Sequence, residues 1–138
     1  MIRKFWTAFA GADLEEAGKH YAQNVTLKPF CHLMKKEFGV VDRDGVNADL
    51  TVPREKVLAG YGRMMATLGK DKWVKALGGI AAGKIAIDPV EKDGDPFAKA
   101  RRGDWVLRVA PVQGEGLVFL FRAASNGRML VVSEKFDY

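Results

Sequence analysis

Residues 103–138 read GDWVLRVAPVQGEGLVFLFRAASNGRMLVVSEKFDY, and the topology of the chain can be worked out from them. Three apolar segments, at 104–111, 117–124 and 129–136, are separated by short polar or glycine-rich connections. The second connection contains Asn126-Gly127, and Asn-Gly between two apolar runs is a strong hairpin signal because both residues tolerate a positive φ angle. The chain is therefore predicted to end in an antiparallel meander.

The N-terminal part is predicted to be helical. Ile2, Phe5 and Phe9 recur at helical spacing, which predicts a short helix over 2–10. Asp13, three residues before Glu16, resembles a capping box and predicts a second helix that runs to about residue 22.

The middle of the chain alternates between strand and helix patterns. Residues 24–30 alternate with period two and predict a first strand, whereas 34–50 are polar and aperiodic and predict a long loop or a short irregular hairpin. Thr51-Val52-Pro53 is predicted to open the principal helix, since threonine caps helices and proline is tolerated in the first turn. The expected buried side of this helix carries four residues: Leu58, Tyr61, Met65 and Leu68.

A second group of strands follows a short helix predicted over 71–77. Residues 84–90 alternate and predict a strand, and Asp93-Gly94 predicts a turn after it. We expect residues 84–136 to form four antiparallel strands in sequence order, with strand 25–30 beside the last. Helices followed mainly by strands indicate an α+β fold with helices on one face of a curved sheet.

Composition indicates one globular domain over residues 1–138. The chain is 48% hydrophobic and 28% charged, and a chain of this length can bury a sizeable core. The net charge of +5 is spread along the chain, whereas a nucleic-acid binder usually concentrates its basic residues. We therefore expect no nucleic-acid partner.

No membrane partner and no cofactor are expected either. The sequence has no apolar run long enough to span a bilayer and no apolar signal-peptide core. Its one cysteine, Cys31, excludes an internal disulfide and is interpreted as a buried apolar residue. A cytoplasmic location is the expectation, although trimming of an exported parent protein would leave no trace in these residues.

Four short motifs carry a resemblance to a known superfamily. They are FAGADL at 9–14, YAQNVTL at 21–27, GDWVLR at 103–108 and NGRMLVV at 126–132. In this order, together with the predicted elements, they resemble the nuclear transport factor 2-like superfamily, which includes SnoaL-like polyketide cyclase-like and ketosteroid isomerase-like proteins with a cystatin-like α+β fold.

The resemblance implies a cone, in which a curved sheet wraps around three or four helices and leaves an apolar pocket. The positions that would line this pocket, and so form the candidate ligand site, are Phe9, Tyr21, Leu27, His32, Tyr61, Met65, Trp105, Leu107, Phe119 and Phe121. Aromatic and methionine residues at such spacings also form ordinary cores, so a filled cone is the structural alternative.

Catalytic machinery is not evident in the sequence. Steroid isomerases of this superfamily place a carboxylate on the first strand, where this chain has Lys28 or Pro29. No carboxyl group therefore appears well placed for the desolvation that tunes a general base. A dehydratase, isomerase or cyclase using His32 with Tyr61 or Tyr21 is the enzymatic alternative. His20 is interpreted as a solvated helix residue.

Metal binding is not expected, because Cys31 and His32 would point to opposite faces of a strand and no further ligand has a suitable spacing. The leading hypothesis is a domain that binds a small apolar or amphipathic molecule in the cone without catalysis. A pure interaction module is a third alternative.

A homodimer is the final expectation. Superfamily members commonly pair through the outer face of the sheet, and strict alternation assigns an apolar set of residues to that face. The assigned residues are Val106, Arg108, Ala110, Val118, Leu120, Arg122, Met129, Val131 and Ser133.

Overall fold

The computed structural model describes residues 1–29, 50–110 and 116–137. Within these described residues, four helices pack on one curved, open sheet of six strands. The helices are α1 (Ile2–Ala10), α2 (Leu14–Gly18), α3 (Arg54–Leu68) and α4 (Lys70–Gly78), and one 3-10 turn spans Ala82–Lys84. The strands are β1 (Tyr21–Pro29), β2 (Leu50–Pro53), β3 (Ile85–Pro89), β4 (Trp105–Val109), β5 (Gly116–Ala123) and β6 (Met129–Asp137). The predicted α+β class is confirmed.

The sheet has the strand order β2-β1-β6-β5-β4-β3. Strands β3 to β6 pair antiparallel in sequence order, and β1 lies beside β6, as predicted. The β1–β6 pair is parallel, so the sheet is mixed. Gly127 has a φ angle of +80° in the tight turn between β5 and β6, which confirms the Asn-Gly hairpin.

The predicted extent of the second helix is wrong. Asp13 caps α2 by accepting a hydrogen bond from the amide of Glu16 at 3.1 Å, but α2 ends at Gly18. Tyr21 instead begins β1 and pairs with Val131 of β6. Pairing with a distant strand overrides the local helical pattern here.

Strand β2 was not predicted. The expected loop at 34–50 lies outside the described residues except for Leu50, and Leu50 begins β2, so the last residue of that loop is a strand residue. Thr51 does not cap a helix, because its hydroxyl lies 3.1 Å from the hydroxyl of Thr26 on β1 and the principal helix begins at Arg54. The Thr-Val-Pro stretch is therefore an edge strand, a position that tolerates proline.

The inner face of the sheet and the helices enclose the main core. Four fully buried rings, which we call the aromatic cluster, are Phe5, Phe9, Phe119 and Phe121. The Phe5 ring meets the Phe119 ring edge-on at 5.0 Å between centroids, and Phe121 at 5.4 Å. Such edge-to-face pairs add to the free energy gained by burial. Edge-to-face ring contacts thus hold α1 against the inner face of the sheet.

The outer face of the sheet is covered by the chain itself. Residues 90–104, which we call the strap, cross it between β3 and β4, and their buried side chains at Val90, Phe97 and Ala100 form a second core. The sheet side chains beneath them are Val106, Val118 and Leu120, each 3% exposed or less. The apolar patch on which the dimer prediction rested is therefore largely covered within the monomer.

The outward assignment of Met129 and Val131 is also wrong. The pairing of β5 with β6 shifts register between Leu120 and Phe121, so that Leu120 faces Ser133 while Phe121 faces Val131. This bulge adds one residue to β6, and one extra residue reverses the side to which later residues point. Val131 and Met129 therefore pack toward the inner core, whereas Ser133 lies on the outer face.

A buried ion pair holds the strap on the sheet. Arg122 of β5 donates from Nε and Nη2 to the two carboxylate oxygens of Asp104 at 3.0 and 2.8 Å. It also donates to the carbonyl of Lys99 at 2.8 Å. Asp104 is only 4% exposed, so removal of Arg122 would leave a buried carboxylate without an ion-pair partner.

Candidate functional site

Three polar side chains converge in the otherwise apolar interior. Glu134 of β6, Tyr21 of β1 and Tyr61 of α3, which we call the triad, are each 0% exposed. The Tyr21 hydroxyl donates to Oε2 of Glu134 at 2.6 Å. The Tyr61 hydroxyl donates to Oε1 of the same carboxyl group. Both carboxyl oxygens are therefore engaged by phenols.

The fold explains how these residues meet. On β6, the residue after the bulge, Ser133, faces outward, so Glu134 faces inward between Leu27 of β1 and Phe119 of β5. Tyr61 lies on the buried side of α3, and its ring meets the ring of Phe9 edge-on at 5.2 Å. The triad thus joins three elements that are far apart in sequence.

Burial dominates the electrostatics of the triad. It raises the pKa of Glu134 to about 7, although the hydrogen bonds from Tyr21 and Tyr61 oppose this rise. Burial and the nearby Glu134 carboxyl raise the pKa of both phenols well above their usual value. Near neutral pH, Glu134 is therefore present in both its protonated and its ionised form, whereas the two phenols keep their protons and remain hydrogen-bond donors.

This arrangement can both donate and accept hydrogen bonds. A protonated Glu134 offers an O–H donor, and an ionised Glu134 is a strong acceptor. A carboxyl group with a pKa near neutrality is also suited to general acid–base chemistry. In the part of the chain that the structure describes, the hydrogen-bond partners of Glu134 are the two phenols.

Most of the predicted pocket residues lie on the inner face. Tyr21 and Tyr61 meet at Glu134, and Leu27 is beside it. The others in the buried interior are Phe9, Met65, Leu107, Phe119 and Phe121. Trp105 does not join them, because it lies at the start of β4 and is 39% exposed. His32 falls outside the described residues.

Glu134 is the residue that sequence reasoning missed. The expectation that no carboxyl group is placed for desolvation was wrong, because Glu134 on the last strand is fully buried. A signal was present: Ser133 was assigned to the outer face, and alternation then directs the next residue inward. A lone acid at an inward position of a final strand is such a signal.

The interpretation of His20 as a solvated helix residue was also wrong. His20 lies between α2 and β1 and is 5% exposed. Its ring meets the Phe5 ring at 6.0 Å, and its Nε2 atom lies 3.9 Å from Glu16. Burial lowers the pKa of His20, although Glu16 opposes this. His20 contacts the aromatic cluster and does not belong to the triad.

The described residues contain neither a membrane-spanning helix nor a metal-ligating cluster. Within 1–29, 50–110 and 116–137, no helix combines the length and apolar character needed to cross a bilayer. Nor do the described histidine, cysteine and acidic residues form any group of three or more able to hold a metal ion.

Comparison with known proteins identifies the fold. No protein-family model matches the chain, and no curated protein matches it. A SnoaL-like protein of unknown function from Burkholderia thailandensis E264 superposes with a TM-score of 0.52 at 14% identity, covering 99% of this chain and 90% of that one. A DUF4783 family protein from Bacteroides fragilis YCH46 gives 0.50 at 12% identity, covering 97% and 94%.

An NTF2-like protein of unknown function from Burkholderia pseudomallei K96243 is also similar, with a TM-score of 0.43 at 19% identity, covering 99% of this chain and 87% of that one. At these identities the likeness concerns the fold alone. The superposition on the SnoaL-like structure shows that the chain has the nuclear transport factor 2-like cone fold, as its sequence motifs had indicated.

Proposed function

We propose that this protein binds a small amphipathic molecule inside the cone and that the triad is the polar contact for that molecule. The observation that carries the proposal is the convergence of three fully buried polar groups on one point of an apolar interior. Ligand sites commonly combine apolar walls with a few converging polar groups and a perturbed pKa.

The chemistry of the triad defines the ligand head group. A hydroxyl or carbonyl group suits it, because Glu134 and the phenols supply both donors and an acceptor. The apolar residues around the triad, such as Leu27 and Phe119, favour a ring or short hydrocarbon body. A ring alcohol or ring ketone therefore represents the class.

Calorimetric titration with 2-naphthol and 2-tetralone tests this proposal. Binding should weaken by at least about fivefold in Tyr61→Phe and Glu134→Gln, since a lost buried hydrogen bond is worth roughly 1–3 kcal/mol. Glu55→Gln is the matched control, because Glu55 lies on α3 and is exposed. Equal affinities in all four proteins would remove the triad from the site. Absence of binding by the wild type would instead favour the filled-cone interaction module.

A second candidate function is proton transfer, favoured by the raised pKa of Glu134 of about 7. In this function the Glu134 carboxylate takes a proton from the carbon next to a ketone, and a phenol stabilises the resulting enolate oxygen. Exchange of the α-hydrogens of 2-tetralone in D₂O, followed by NMR, detects this step. Exchange by the wild type that is faster than in buffer alone, and that disappears in Glu134→Gln, supports an enzyme. Exchange at the rate seen in buffer alone leaves ligand binding as the candidate function.

A further inference from the structure

A surface hollow lies away from the triad, at the end of the cone where α1 begins. It has a volume of about 350 Å³ and is lined by Met1, Ile2, Arg3, Ile87, Trp105 and Met129. Volumes of this size are at the lower end of the range for small-molecule sites. We call it the Trp105 groove.

Trp105 gives the groove an exposed aromatic wall. Of the three tryptophans, Trp6 and Trp73 are buried, at 8% and 5% exposure, whereas Trp105 is 39% exposed. Trp73 satisfies its indole N–H by donating to the carbonyl of Phe9 at 2.8 Å. Trp105 points to the inner side, because its pairing partner Phe121 is fully buried in the aromatic cluster. A large indole surface at an inward position is thus left open to solvent.

The remaining apolar walls are adaptable. The backbone amide of Met129 donates to the sulfur of Met1 at 3.2 Å, and both residues line the groove. Methionine side chains adjust to irregular apolar ligands and make favourable contacts with aromatic rings. Ile87 of β3 completes the wall beside Trp105. These walls suit a compact ring system.

The charge around the groove is positive. Among the described residues that line it, Arg3 carries the charged side chain, and that side chain is exposed. Lys4 follows Arg3 in the sequence and Arg128 precedes Met129, and both of these cations are exposed. Asp88 follows Ile87 in sequence but lines a different cleft, on the outer side of β3. An anionic head group is therefore attracted to this end.

We propose that the Trp105 groove binds a small alicyclic or aromatic carboxylate. The ring of the ligand packs on Trp105 and the methionines, and its carboxylate accepts hydrogen bonds from the Arg3 guanidinium. Arginine suits this role because its planar donors match the geometry of a carboxylate. This site is separate from the triad and does not depend on the function proposed for it.

Adamantane-1-carboxylate and the neutral 1-adamantanemethanol form a matched pair of probes. Neither probe absorbs where tryptophan does, so acrylamide quenching of Trp105 fluorescence reports occupancy alongside calorimetry. We expect the carboxylate to bind the wild type and to protect Trp105, and the alcohol to bind at least about tenfold more weakly.

Two variants and two controls locate the site. In Arg3→Gln, the affinity for the carboxylate should fall to the affinity for the alcohol. In Trp105→Ala, the affinities for both probes should fall. Lys72→Gln removes an exposed cation from α4, and Leu68→Ala removes an apolar side chain that is 44% exposed on α3. Both controls should bind like the wild type.

Three results would overturn the proposal. They are no binding of the carboxylate at millimolar concentration, equal binding of acid and alcohol, and an equal loss of affinity in the controls. Arg3 is exposed, so Arg3→Gln is expected to fold, and circular dichroism checks this.

Discussion

Replacing Glu134 by glutamine is expected to remove most of the pH dependence of stability between pH 5 and pH 8. The pKa of Glu134 rises from 4.5 to about 7 in the folded protein because the carboxyl group is fully buried. The folded state therefore holds this proton more tightly than the unfolded state. The stabilisation is fully present below pH 4.5 and is lost as the pH rises through 7.

The size of this effect follows from the pKa difference. A rise from 4.5 to about 7 corresponds to about 3 kcal/mol in the free energy of unfolding. Glutamine keeps the shape of the side chain and still accepts a hydrogen bond from a phenol, but it does not titrate. As the pH rises from 5 to 8.5, the free energy of unfolding of the variant should thus increase by about 3 kcal/mol relative to that of the wild type.

Urea unfolding at several pH values measures this difference. The lowered pKa of His20 acts in the opposite sense, because its contribution is lost as the pH falls. His20 is present in both proteins, so the difference between them isolates Glu134. Glu55→Gln, at an exposed position of α3, is the control and should follow the wild type. A difference between wild type and Glu134→Gln that stays constant over this range would refute the reasoning.

Three further predictions concern the triad, the strap and assembly. Tyr21→Phe and Tyr61→Phe should each destabilise the protein by roughly 1–3 kcal/mol in urea unfolding, and more at pH 8 than at pH 5, because each phenol opposes the rise in the Glu134 pKa. Arg122→Ala leaves Asp104 buried without its ion-pair partner. We therefore expect the free energy of unfolding to fall by roughly 2–3 kcal/mol and trypsin to cleave the strap faster. Cleavage at the wild-type rate would contradict the role of the ion pair in holding the strap. The homodimer stays a prediction, and light scattering decides it: a monomer mass of 15.2 kDa that is unchanged on tenfold concentration would reject it.

The order of β3 to β6 was predictable, because turn residues between neighbouring strands indicate it locally. Gly127 and Gly116 support hairpins through the backbone angles that glycine permits, with φ angles of +80° and +84°. The ends of α2 and the existence of β2 were not predictable in the same way. Tyr21 fits a helix by local pattern, and its place in β1 depends on pairing with Val131 more than a hundred residues later.

The candidate site was only half predictable. Tyr21 and Tyr61 were identified as inward residues, since aromatic positions on amphipathic elements usually face the core. Glu134 was not, because a glutamate on a strand is normally solvated and only the completed fold shows its burial. The side assignment of Met129 failed for another reason: the β6 bulge depends on how two strands meet, which alternation along one strand does not contain.

The parallel pairing of β1 with β6 also determines the order in which the molecule can be completed. Tyr21 and its partner Glu134 are 113 residues apart in the chain, and contacts of such long sequence separation form slowly. During synthesis, β1 is made first among the strands and must wait for the last one before its edge is filled. A chain interrupted before residue 129 therefore carries two open strand edges, on β1 and β5, with the aromatic cluster between them. Such chains are expected to aggregate, whereas the finished chain closes both edges with a single strand.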